Sequence, residues 1–137
     1  MRKMIMAVIA SAGILAATSA PAANHDKERN AKYEAALAKA IEGRVAGKPV
    51  DCIQLRDIRS SRIIDDTAIV YDVGRTVYVN RPTSGATFLD SSDILVTDTR
   101  SSQLCSIDIV RLLDGSSRMM RGSVGLGKFV PYTKPKV

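Results

Sequence analysis

Few residues in this chain could do covalent chemistry. Its 137 residues hold one histidine, His25, and two cysteines, Cys52 and Cys105. A Ser-His-Asp or Cys-His centre needs an imidazole beside its nucleophile, and His25 lies at an N-terminus expected to fray. The same count argues against a histidine-based zinc site. No Cys-x-x-Cys occurs, so a dithiol redox centre is not expected. Gly122, Gly125 and Gly127 lack the strand-then-helix setting of a phosphate-binding loop. Asp65 and Asp66 are adjacent, so in a strand their carboxylates would face opposite sides and could not share a substrate. Their expected role is hairpin-turn chemistry. No Asp-x-Asp-x-Asp-Gly loop is present, which argues against calcium. We therefore expect no cofactor, no metal and no enzymatic activity, with an Asp-based hydrolase the least favoured reading.

What remains is binding. Asp57-Ile58-Arg59-Ser60-Ser61 echoes Asp98-Thr99-Arg100-Ser101-Ser102. Turn chemistry accounts for such an echo, because Asp and Ser both bond to nearby backbone. Two like turns could also present Arg59 and Arg100 to one anion. With Arg62, these are the candidate residues for binding an anion or a partner. The chain has no Trp and, beyond Tyr33, five aromatics (Tyr71, Tyr78, Phe88, Phe129 and Tyr132). Stacking platforms for nucleic acid would be sparse, and none is expected as a partner. Tyr71 and Tyr78 read as a cross-strand pair.

The first 22 residues decide where this chemistry would operate. Arg2 and Lys3 precede an apolar run from Met4 to Ala17, and Ala20-Pro21-Ala22 follows. The pattern is that of a secretory signal peptide cleaved after Ala22. The run is too short for a transmembrane helix, which needs about 20 residues. We expect an exported protein, periplasmic or secreted, with no transmembrane segment in the mature chain and a monomeric state. Removing Arg2 and Lys3 leaves 18 basic against 14 acidic residues, or +4. That balance favours anionic neighbours. In an oxidising compartment an even pair of cysteines reads as a disulfide. Two buried free thiols are the other reading of the same count.

The elements that would position these residues are short. Residues 24–42 read as a helix, with Asn24 as its cap and Tyr33, Ala36, Leu37, Ala40 and Ile41 as a thin apolar stripe. Gly43 is its stop. Residues 43–49 read as a linker, and a β domain runs over 50–131. Strands are predicted at 50–56, 62–64, 67–72, 76–80, 93–98, 107–113 and 124–130, the last of them short. Loops are predicted at 81–91 and 114–123, a polar turn through Cys105, and a mobile basic tail at 132–137. The fold class is mainly β, a small curled sheet, barrel or sandwich of five to six short strands after one N-terminal helix.

From Gly43 onward the chain resembles a family of small exported bacterial proteins of unknown function. The residues that carry it are Gly43-Arg44 with Gly47-Lys48-Pro49, Cys52-Ile53-x-Leu55-Arg56-x-Ile58-Arg59-Ser60, Ile64-Asp65-Asp66, Tyr78-x-Asn80, Leu104-Cys105 with Asp108, and Gly125-Leu126-Gly127-x-Phe129-x-Pro131. Members often carry two further cysteines, near Gly85 and Val124 here. Their joint absence implies that those two pair with each other, which leaves Cys52 with Cys105. The resemblance implies no activity. The leading expectation is a non-enzymatic envelope protein that binds a partner protein or an anionic envelope component. A small secreted enzyme inhibitor is the alternative.

Overall fold

The computed structural model describes residues 22–136. The signal-peptide reading falls on residues outside that range, apart from Ala22. The described chain is mainly β after one helix. Its ten strands form three antiparallel sheets, and these do not close into a barrel.

Helix α1 spans Ala22–Ala40. Asn24 therefore lies inside the helix and does not cap it. Leu37 is buried, while Tyr33, Ala40 and Ile41 pack half-buried beside it and Ala36 stays exposed. Gly43 follows with a positive φ of 71°, the conformation that glycine adopts without a Cβ penalty.

The strands are β1 Val45–Ala46, β2 Cys52–Gln54, β3 Ser60–Ile64, β4 Ala68–Val73 and β5 Thr76–Asn80, then β6 Ile94–Thr97, β7 Gln103–Cys105, β8 Ile109–Leu113, β9 Met120–Gly125 and β10 Phe129–Thr133. The largest sheet has the order β1-β10-β5-β4-β3. Its strands alternate between two faces, as period-2 side chains must. Ile64, Ala68, Val70, Val77 and Val79 meet Leu37 of the helix. Ile63, Ile69, Tyr71 and Phe129 point the other way, into a core shared with Ile53, Leu104, Val110, Leu112 and Val124 of the β2-β7 pair and the β6-β8-β9 sheet. Helix, large sheet and small sheets thus make three layers. Tyr71 and Tyr78 are direct cross-strand partners, and the Tyr71 ring sits edge-on to Phe129 at 5.8 Å.

Several boundaries differ from the sequence reading, for one reason: short strands are held by partners distant in sequence. The expected linker contains β1, because Val45 and Ala46 pair with Thr133 and Tyr132. The expected strand at 50–56 shortens, since Leu55–Asp57 forms a 3-10 turn. That turn brings the Arg59 amide to the Asp72 carbonyl at 2.8 Å. The expected turn through Cys105 is strand β7, because Cys105 lies opposite Cys52 and Leu104 opposite Ile53. Strand β9 reaches back into the loop expected at 114–123. Strand β10 starts late and continues through Thr133, into the segment expected as a mobile tail. Pro131 is tolerated there because its nitrogen side faces β1, where only its carbonyl is used, by the Gly47 amide at 2.7 Å.

Cys52 and Cys105 form a disulfide across β2 and β7. It joins residues 53 apart in sequence, a closure worth about 4 kcal/mol in the chain-entropy model.

Candidate functional site: a basic sheet end

The register of the large sheet brings four separate stretches of chain to one end. Val45 is opposite Thr133, Thr133 opposite Thr76, Thr76 opposite Val73, and Ser60 opposite Asp72. Just outside those strand ends stand Arg44, Lys134, Arg75, Gly74 and Arg59. Four of the five are cations, delivered by four separate strand ends.

A cleft of about 810 Å³ lies at this end, lined by Arg44, Gly74, Arg75, Thr133, Lys134, Pro135 and Lys136. Four lining residues are basic and none is acidic. Arg44 is half-buried and anchored, its Nη1 donating to the Arg75 carbonyl at 2.8 Å and to the Tyr132 carbonyl at 3.4 Å. Neutral carbonyls fix the guanidinium without cancelling its charge. Gly74, at φ 66°, makes the tight β4–β5 turn that puts Arg75 beside it. A Cβ at Gly74 would lie 3.8 Å from Arg59 Nη2. A second, shallower cleft of about 350 Å³ on that side is lined by Arg56, Asp57, Arg59, Val73 and Gly74. Its one acid, Asp57, stands 3.8 Å from Arg56. Among the described residues, Arg44, Arg59, Arg75, Lys134 and Lys136 make no ion pair within 4.0 Å.

The other end of the same sheet carries neutralised charge. Arg81 donates two bonds to Glu34, at 2.8 and 2.9 Å, and so clamps the helix to the end of β5. The bidentate hydrogen bond holds the Glu34 carboxyl below the usual glutamate range, against a smaller opposing effect of burial. Asp65 accepts from the Ser91 amide at 2.6 Å. Asn80 is fully buried there, and its side-chain amide exchanges bonds of 2.7 and 2.9 Å with the Gly127 backbone. Elsewhere, the Ser116 hydroxyl, aided by Ser117, pulls the exposed Asp114 carboxyl well below the usual range. Burial pushes the Tyr71 phenol well above its ordinary value, which keeps it neutral.

The three arginines singled out by sequence do not gather. Arg59 flanks the basic end. Arg62, two residues along β3 past Ser60, lines a separate slot against β6. Arg100 lies exposed in the bend before β7 and lines neither basic cleft. The Leu55 amide, just before the first segment of the sequence echo, bonds to the carbonyl of Ser102 in the second at 3.0 Å. Sequence reasoning missed Arg44, Arg75, Lys134 and Lys136. Of these only Arg75 adjoins a strand that the sequence predicts; Arg44, Lys134 and Lys136 lie beside β1 and β10, whose pairing is not local.

The glycines of the C-terminal motif do structural work. A Cβ on Gly127 would collide with the Arg81 carbonyl, and one on Gly125 would sit 2.5 Å from Ser84 Oγ. Asp108 accepts from the Cys105 amide at 2.7 Å and fixes the turn after the disulfide. His25 is exposed on the first turns of α1 and shares a shallow groove with Glu28, Arg29, Lys32 and Tyr33. Asp65 and Asp66 occupy the β3–β4 turn, with Asp66 at φ 53°. Among the described residues, no three His, Cys, Asp or Glu side chains come together as a metal site would require. No described helix is long and apolar enough to cross a membrane. Comparison with family models, with curated proteins and with solved structures returned no match to the chain.

Proposed function

We propose that this chain is an exported, non-enzymatic envelope protein that binds an anionic surface through the basic end of its large sheet. The observation that carries the reading is the cleft walled by Arg44, Arg75, Lys134 and Lys136 with no acid among its lining residues. Cations without counter-charges raise the local potential and recruit anions, an effect that salt screens. Arg44 adds a fixed guanidinium suited to bidentate contact with phosphate. Arg59 extends the surface past Gly74. The export half of the reading is supported by the apolar run at 4–17 and by the disulfide, a bond that persists in oxidising compartments.

The test is co-sedimentation of the mature protein with vesicles. Binding to phosphatidylglycerol vesicles at low salt, loss of binding at about 0.5 M salt, and no binding to phosphatidylcholine vesicles are expected. Equal binding to both vesicles, or binding to neither, would refute the proposal.

A further inference from the structure

The large sheet and the β6-β8-β9 sheet each end in a free edge, and these two edges face each other. Strand β3 ends one sheet and β6 ends the other. Between them lies a slot of about 320 Å³, walled by Ser61–Ile63 on one side and Asp93–Leu95 on the other. One end is pinned shut, where Ser91 donates to Asp65 at 2.6 Å and the Asp66 amide donates to the Leu89 carbonyl at 3.1 Å. Beyond that pin no backbone bond joins β3 and β6 among the described residues.

Two polar groups in the slot lack a full complement of partners. Arg62 is exposed and makes no ion pair among the described residues. The Asp93 carboxylate is fully buried; its Oδ1 meets Arg121 at 3.1 Å, but its Oδ2 has no hydrogen-bond partner. A buried carboxylate oxygen left alone costs free energy that an incoming donor would recover.

We infer that this slot takes an extended peptide segment of a partner protein, which adds to β3 as a sixth strand of the large sheet. An edge strand offers a row of unused amides and carbonyls, and an added strand takes its affinity from them. The half-buried Ile94 and Leu95 form the opposite wall for its apolar side chains. The charges set the pattern: an acidic residue facing Arg62, and a hydrogen-bond donor such as Ser, Thr or Asn facing Asp93 Oδ2. This site is independent of the basic end, so either reading can fail alone.

The experiment pans a phage-displayed library of random nine-residue peptides against the disulfide-intact protein. Selected peptides are then titrated into isotope-labelled protein and followed by amide shifts. The inference expects peptides with alternating apolar residues and an acid. Shifts should fall on both 61–63 and 93–95, and R62E should reverse the charge preference with at least a tenfold loss for the original peptides. Arg62 is exposed, so that variant folds. Four results would each overturn the inference: no enrichment, shifts confined to other surfaces, an unchanged preference in R62E, or a dimer of the chain that occupies the slot and excludes peptide.

Discussion

The two ends of the five-stranded sheet are built from the same strands and solve opposite problems. At the end of Asn80, Arg81 and Asp65, each charge or buried amide has a partner on another element: Glu34 on the helix, Gly127 before β10, Ser91 before β6. At the end of Arg44, Arg75 and Lys134, none of the cations has an acidic partner among the described residues. The paired end ties layers together. The unpaired end adds little to stability and carries a concentrated charge. The contrast teaches that polar groups here divide by place: they tie layers together at one end, and cations stand without counter-charges at the other.

Opening the disulfide should strike both ends alike. Strand β2 is tied toward one end through the Val50–Phe129 bridge and toward the other through Leu55–Ser102 and Arg59–Asp72. The double change Cys52→Ser with Cys105→Ser is expected to cost about 4 kcal/mol in denaturant unfolding. A loss confined to one end, read by hydrogen exchange, would break the comparison.

The next effect belongs to the paired end. Asn80→Ala strands the amide and carbonyl of Gly127 in the interior, at about 2–4 kcal/mol for two buried unsatisfied groups. Chemical denaturation measures it, and anion binding by the folded fraction should not change.

At the unpaired end the expectation inverts. Arg75→Glu with Lys134→Glu should leave stability within about 0.5 kcal/mol, as exposed substitutions do. Binding to anionic vesicles should fall at least tenfold, equivalent to about 1.4 kcal/mol.

The smallest effect sharpens the role of the helix clamp. Glu34→Gln removes an exposed bidentate pair worth about 0.5 kcal/mol at pH 7. The Glu34 carboxyl titrates lower in the folded than in the unfolded chain. Its contribution is therefore present above the ordinary glutamate value of 4.5 and lost as pH falls through the folded value. Wild type and variant should converge in stability once the pH falls below the folded value of the Glu34 carboxyl.

Much of the paired end was legible in the sequence, and most of the unpaired end was not. Val77 and Val79 alternate with Thr76 and Tyr78, and that local pattern marks β5 to the residue. Leu37 and its neighbours mark the face of the helix. The cysteines mark their own bond once export is inferred. Strands β1 and β10 carry no comparable signal. Val45–Ala46 is two residues long, and β10 contains Pro131. Strand β1 exists because β10 lies beside it, and β10 because β5 does along all five of its residues, both non-local facts. Without that pairing Arg44 belongs to a linker and Lys134 to a tail, so no window along the chain places them together. Arg59 and Arg100 draw attention through a repeated turn motif, and Arg62 is grouped with them. Their separation follows from topology, since β3 and β7 belong to different sheets.

The central claim is that charge at one end of the sheet recognises anions and charge at the other end does not. Its most direct test compares two charge reversals in one vesicle-binding assay, Arg75→Glu at the open end and Arg81→Glu at the clamped end, each checked for folding by circular dichroism. Arg75→Glu is expected to weaken binding to phosphatidylglycerol vesicles several-fold more than Arg81→Glu. Equal losses from the two reversals would contradict it, because binding would then follow net charge and not the basic end.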